Sequence, residues 1–311
     1  MMTKRALLSV VFGAFLTGCQ PTTTSAPDAS PPPPPRPEAG PSGESRALSG
    51  YYRRIESRLL ADGRLRRDGL APDAPFGAAQ LARNFERIAL FSEYTQIGGR
   101  YVAQQSRAKL RRWPGPVRVQ LHFGESVDPA TRRTDRLRVE SYLARLRRAT
   151  NHPIRLVDEG GNYHVFVASL DEQRELGPQI SRVEPGLSRT TIREITSLGR
   201  NTYCAVYASS TSDRPNAYVS AIALIRSEHP DLMRLSCYHE EIAQGLGLAN
   251  DSPVARPSIF NDDEEFALLT RHDEELLGML YDSRLRIGMT AEQAAPIIRR
   301  LAEERAGGGP V

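Results

Sequence analysis

The sequence predicts an α/β (α+β) fold in which a mixed, twisted sheet packs on a central helix. Three observations carry this expectation. Short β-rich runs bounded by Gly, Pro and Asn turns recur at residues 117–121, 154–157, 163–167, 203–207 and 218–225. Residues 135–150 place Val139, Tyr142, Leu143 and Leu146 on one face, the spacing of an amphipathic helix, with arginines on the other. A second helical stretch begins near Cys237, after the last β-rich run.

Before that domain the chain divides into three parts. Residues 1–18 read as a leader: Lys4 and Arg5 open it, residues 6–15 form an apolar run too short to span as a mature helix, and Leu16-Thr17-Gly18-Cys19 resembles a lipobox. Cleavage there leaves Cys19 as a lipidated N-terminus, so a periplasm-facing place in the bacterial cell envelope is expected, with the membrane held through Cys19. Gln20 after the cysteine leans toward the outer membrane. Residues 19–46 are a linker, because the Thr-rich start, the proline run at 31–35 and Gly40-Pro41-Ser42-Gly43 hold almost nothing that could be buried. Residues 47–80 are read as a helical extension, with Tyr51, Ile55, Leu59 and Leu60 at helical spacing over 47–70 and Gly63, Gly69, Pro72 and Pro75 breaking the pattern. Its basic face, Arg53, Arg54 and Arg58, could touch anionic lipid; Glu56 and Asp62 dilute the charge, and a solvated face is expected.

The main domain is placed at residues 81–306. Arg111-Arg112-Trp113-Pro114 leads into the first strand, and Trp113 is expected in the core or at a hinge. Glu159-Gly160-Gly161-Asn162 and Asp213-Arg214-Pro215-Asn216 mark the turns between strand pairs, and residues 171–201 give no clear pattern. With 41 basic and 37 acidic residues the net charge is +4, which gives no reason to expect nucleic acid as a partner. Cys204 and Cys237 form an even pair in an oxidising compartment, so a disulfide is expected, stabilising by on the order of 3 to 4 kcal/mol.

The chemistry-bearing stretch runs from Cys237 through Asp251. His239-Glu240 suggests a zinc-protease helix, but Ala243 stands four residues on, where the second ligand belongs. Moving the frame by one residue puts Glu240, Glu241, Gln244, Gly247 and Asn250 on the positions of H-E-x-x-H-x-x-G-x-x-H. In that frame the stretch resembles the helix, glycine turn and following Asp251 of metzincin peptidases. Ser258-Ile259-Phe260 resembles their Met-turn with Phe260 in place of Met, and Leu269-Thr270-Arg271-His272-Asp273 resembles the closing helix. Glu240-Glu241-Ile242-Ala243-Gln244, Ser258-Ile259-Phe260-Asn261-Asp262-Asp263 and Leu285-Arg286-Ile287-Gly288-Met289 also resemble a bacterial family known as domain of unknown function 2927.

The resemblance implies a matrixin-like fold whose ligand positions hold Glu240, Gln244 and Asn250, while only the base position, Glu241, keeps its identity. That donor set is poor for zinc, and no cofactor is expected. Calcium accepts such oxygens more readily, but Asp262-Asp263-Glu264-Glu265 lacks the spacing of a calcium loop. The expected function is a catalytically degenerate, membrane-anchored domain that binds an envelope protein or peptide through the old cleft. Alternatives are an atypical peptidase or hydrolase with Glu241 as general base, and a purely structural envelope domain. His239 and His272 stay open between the cleft and the core. No Ser lies in a Gly-x-Ser-x-Gly elbow to support a triad.

Overall fold

The computed structural model describes residues 40–97, 100–261 and 263–306, with residues 93–97 and 100–105 described through their backbone. The leader, Cys19, the proline run and Asp262 lie outside the described residues. Residues 40–306 belong to one compact unit. Among the described residues no helix is long and apolar enough to cross a membrane.

Helix α1, Gly43–Ala61, starts four residues earlier than its apolar spacing suggests because the Ser42 hydroxyl accepts the Ser45 N–H as an N-cap. Its inner face buries Ser45, Leu48, Tyr52, Ile55 and Leu59. It stops at Ala61, well short of residue 70, and Gly63 follows with a left-handed φ of 73°. Helix α2, Ala78–Ala89, buries Leu81, Phe85 and Ile88 and runs into a hairpin that the sequence pattern did not reveal, β1, Phe91–Ile97, with β2, Arg100–Arg107.

The main sheet begins with β3, Val117–Phe123. Helix α3, Pro129–Thr150, is capped by the Asp128 carboxylate and opened by Pro129, and ends at Asn151 in the left-handed region. It crosses to β4, Ile154–Leu156; then come β5, Tyr163–Ala168, the hairpin β6, Cys204–Thr211, with β7, Arg214–Arg226, and helix α7, Asp231–Gln244. The strand order is β4-β3-β5-β7-β6. All neighbours are parallel except β6, which pairs antiparallel with β7 and forms an edge. The hairpin turn is Ser212-Asp213, one residue ahead of the Pro-containing tetrapeptide, so Arg214, Pro215 and Asn216 belong to β7. Helix α7 begins nearly two turns before Cys237, because Asp231, Leu232 and Met233 continue its pattern back to Pro230.

Every residue of β5 is buried, and alternation assigns its two faces to different layers. Tyr163, Val165 and Val167, with Ala221, Ala223 and Ile225 of β7, pack in the main core that includes Leu143, Leu146, Ile242 and Leu277. Phe166 and Ala168, with Ile222 and Leu224, face a second layer built from residues that had no readable pattern. These fold as three short helices: α4, Leu170–Gln173; α5, Gly177–Val183; and α6, Arg189–Thr196. The shortness of each helix explains their silence in the sequence, since none completes enough turns to show a 3.6-residue period. Helices α8, Arg271–Leu280, and α9, Ala291–Ala306, close the main core, α9 packing against α2.

Burial holds several imidazoles neutral. Desolvation pushes His122 down to about 4, and His229 and His239 down to about 3. His122 is held on its neighbour His164 by a ring-nitrogen hydrogen bond of 3.0 Å. A base whose folded pKa is depressed binds its proton more readily when unfolded, so its contribution is complete above the unfolded value near 6.5 and is lost as pH falls toward the folded value. Stability therefore drops between about pH 7 and about pH 5, above the range where the carboxylates titrate. Urea midpoints measured at those two pH values check this, and equal midpoints would contradict it.

Candidate functional site

Helix α7 is fixed at both ends by residues distant in sequence. Its N-terminus has Pro230 as cap and no side-chain acceptor of its own; Glu56 of α1 supplies one, accepting the Met233 N–H at 3.0 Å. One turn on, Arg234 donates to the buried Asp135 of α3 at 2.7 and 3.2 Å, and the Tyr238 hydroxyl donates to the same carboxylate at 3.1 Å. His239 points into this packed side. Its Nδ1 accepts the Leu269 N–H at 3.0 Å, which leaves the proton on Nε2, and its ring stacks on Tyr142 with centroids 3.9 Å apart. His239 is thus a core histidine, and so is His272, fully buried with Nε2 3.1 Å from the Asn84 amide.

The C-terminal end is held by three aromatic donors. The Tyr163 hydroxyl donates to Glu241 O at 2.6 Å, the Trp113 indole to Gly245 O at 2.8 Å, and the Tyr281 hydroxyl to Leu246 O at 2.9 Å. Glu241 O also accepts the Gly245 N–H at 2.9 Å, while Trp113 and Tyr281 meet carbonyls of the turn that follows the helix, where donors of the helix itself have run out. Two glycines permit the approach. A Cβ on Gly245 would lie 2.1 Å from the Tyr163 hydroxyl, and Gly247, at φ 128°, would place one 2.3 Å from Arg111 O.

This end of α7 forms one wall of a cavity of about 650 Å³ whose facing wall is the edge strand β6. Glu240, Glu241 and Gln244 line it, being neighbours on one helix face, together with Asp251, Arg111, Tyr207 of β6 and Glu194 of α6. Cys204, at the start of β6, is joined to Cys237 by the disulfide the cysteine count suggests, with an S–S distance of 2.07 Å. The bond ties the cavity's strand wall to its helix wall.

One donor atom from each of Cys204, Glu240 and Glu241 lies within 4.8 Å of the others. The sulfur is in the disulfide, however, so it offers no thiolate, and two adjacent carboxylates remain. Gln244 Nε2 donates to Asp251 Oδ1 at 2.9 Å. Asn250 is fully buried, its amide nitrogen donating to Arg87 O at 2.9 Å and to Asp251 O at 2.8 Å, and it stands outside the cavity lining. Without an imidazole or a thiolate these residues do not fit a catalytic zinc. Glu265 of the acidic run is also engaged, pairing with Arg66 at 3.0 Å and with Arg256 at 2.6 Å.

Ser258, Ile259 and Phe260 form a buried turn organised by Asp273 at the start of α8. The Ser258 hydroxyl donates to Asp273 Oδ1 at 2.5 Å; the Ile259 N–H, the Thr270 N–H and the Thr270 hydroxyl donate to Oδ2 at 3.1, 2.9 and 2.8 Å. Phe260 is fully buried, and its carbonyl accepts the Ser252 N–H at 2.8 Å, which fixes the chain that follows Asp251.

Residues 78–300 match the model of a family described as protein of unknown function (DUF2927). The chain belongs to the DUF2927 family. The match opens at the first residue of α2 and ends within α9, so the DUF2927 region contains the whole site while α1 lies before it. No curated protein and no solved structure matches the chain.

The i, i+4 spacing puts Glu240 and Gln244 on one helix face, and the DUF2927 structure has both at the cavity together with Glu241. Sequence reading passed over Tyr163, Tyr281 and Glu56, whose roles depend on contacts 78, 35 and 177 residues away. For Asp273 a local signal existed: Thr270 and Asp273 have the spacing of a capping box, and the structure forms one. Because four donors converge on this buried carboxylate, Asp273→Ala is expected to cost about 3 kcal/mol or more in urea unfolding; a loss below about 1 kcal/mol would contradict that role.

Proposed function

We propose that this protein is a membrane-anchored envelope lipoprotein whose domain is a catalytically degenerate, metzincin-like peptidase that binds a protein or peptide partner through its cleft. The observation that carries this reading is the juxtaposition of an antiparallel edge strand, β6, with the Glu240-Glu241-Gln244 face of α7 across a cavity of about 650 Å³. An edge strand offers unpaired backbone groups to an added strand, and the cavity offers room for its side chains. The helix, the Gly247 turn, the buried Ser258-Ile259-Phe260 turn and α8 follow one another in the order the metzincin resemblance implies.

Degeneracy rests on donor chemistry. Peptide hydrolysis in the zinc enzymes needs a metal to activate water and to stabilise the oxyanion, with a glutamate as base. Here Glu241 keeps the base position, while Glu240, Gln244 and Asn250 stand where imidazoles belong. The amides of Gln244 and Asn250 are used in hydrogen bonds within the protein. Envelope location and lipid anchoring rest on Lys4, Arg5, the apolar run at 6–15 and Leu16-Thr17-Gly18-Cys19.

Selection of a displayed random-peptide library on the purified protein tests the cleft. Peptides that bind the wild type are expected to lose about tenfold or more in affinity for Ala249→Trp, which fills the cavity from a lining position, while the melting temperature is kept. Equal binding to both proteins would remove the cleft from the account. Cleavage of the library that disappears in Glu241→Gln would replace the binding reading with the hydrolase reading.

A further inference from the structure

Helix α1 lies before the matched family region, and its outer face is basic. Arg46, Arg53, Arg54 and Arg58 are exposed on it, over about 18 Å of helix axis. In the sequence Glu56 and Asp62 dilute this charge. The structure removes Glu56 from the face, since its carboxylate turns inward to the Met233 N–H at the N-terminus of α7. Glu44 at the helix start is neutralised by Arg174 at 2.7 Å, which leaves Asp62, at the helix end, as the remaining acid of α1 itself, while Asp171 of α4, accepting the Ser42 N–H at 2.9 Å, lies near Arg46. Among the described residues no carboxylate forms an ion pair with Arg53, Arg54 or Arg58. Arg200 is added from the loop after α6, its guanidinium 5.2 Å from the centre of the Tyr51 ring.

We propose that this face is a docking surface for an anionic phospholipid bilayer, with α1 lying along the headgroups through Arg46, Arg53, Arg54 and Arg58 and Arg200 beside them. A single helix presents a convex row of guanidinium groups without a groove, and Tyr51, the aromatic side chain of the patch, is already covered by Arg200. That shape suits a flat, laterally continuous array of phosphates and offers no channel or stacking platform for a nucleic-acid strand. Guanidinium forks match phosphate oxygens in pairs. Leu60, 48 % exposed at the next-to-last position of the helix, adds apolar area at the edge of the patch. The inner face of the helix stays occupied: the Tyr52 hydroxyl donates to Arg200 O at 2.9 Å, so the docked helix also holds the loop that rims the cavity at Asn201, Thr202 and Tyr203. The proposal stands independently of what the cavity binds and of lipidation at Cys19.

Partitioning of the full chain onto phosphatidylcholine vesicles, with and without about one-third phosphatidylglycerol, tests it. The ratio of the two partition coefficients is the readout, because any membrane attachment through the leader or through Cys19 enters both compositions. Each arginine at the surface is worth about fivefold, so the triple variant Arg53→Gln, Arg54→Gln, Arg58→Gln is expected to lower the ratio on the order of 100-fold. Raising the salt from about 0.1 M to about 1 M should abolish the preference of the wild type. The variant Arg53→Lys, Arg54→Lys, Arg58→Lys keeps the charge and should keep most of the ratio, and the circular dichroism of both variants should match the wild type. An unchanged ratio in the folded glutamine variant overturns the proposal. So does retention on immobilised heparin with no preference for anionic vesicles, which would assign the face to a soluble polyanion.

Discussion

The C-terminal turn of α7 is where the molecule's layers are joined, and the join is made of backbone carbonyls meeting aromatic donors. Tyr163 comes from the middle of the sheet, Trp113 from the segment before β3 and Tyr281 from the end of α8, and each places a polar hydrogen on a carbonyl of the last turn of α7 or of the two residues that follow it. Close contact with Tyr163 requires a residue without a Cβ at 245, and the turn beside Arg111 requires one at 247. Tyr163 and Trp113 are buried and Tyr281 is partly buried, so an unsatisfied hydroxyl or indole there would carry a desolvation cost, and the carbonyls would carry another. Satisfying both at once fixes the height of Glu240, Glu241 and Gln244 against β6.

The other end of α7 depends on α1, which lies before the family region. A helix that begins at Pro230 lacks a side-chain cap, and Glu56 serves from outside. Ser45 of the same helix donates to the buried Glu228 at 2.7 Å. The extension is therefore packed as part of the domain, and the segment from Arg226 to Met233 is built around it. The Cys204–Cys237 disulfide adds a covalent tie between the walls of the cavity. The site's helix is thus held at its start by α1, in its middle by Asp135 and the disulfide, and at its end by the sheet and α8.

Much of this frame could be read in the sequence where periodicity is long or chemistry is local. Val139, Tyr142, Leu143 and Leu146 announce α3 because they complete two turns on one face, and the runs at 163–167 and 218–225 announce β5 and β7 because both faces are buried. The start of α7 was misplaced toward Cys237 because Pro230 resembles a break and the acceptor that stabilises the first turn sits in α1. Residues 171–201 gave nothing because α4, α5 and α6 are too short to show a period, and their apolar residues make sense only against Phe166, Ile222 and Leu224. At the site, the shared helix face of Glu240 and Gln244 follows from spacing alone. The inward turn of Asn250 onto Arg87 O, and the pairing of Gln244 with Asp251, follow from contacts that no spacing encodes.

What the domain does therefore hinges on the donors at one helix face: two neighbouring carboxylates, an amide bonded to Asp251 and a sulfur already spent in a disulfide. Such a set holds zinc poorly, because zinc is retained by imidazole and thiolate in tetrahedral array. Elemental analysis of the folded protein, purified without chelator from cells grown with ample zinc, tests this most directly. Folded protein carrying no stoichiometric metal is the expected result. Stoichiometric zinc that is lost together with stability on substitution of Glu240 would contradict this account of the donors and favour the hydrolase reading over the binding one.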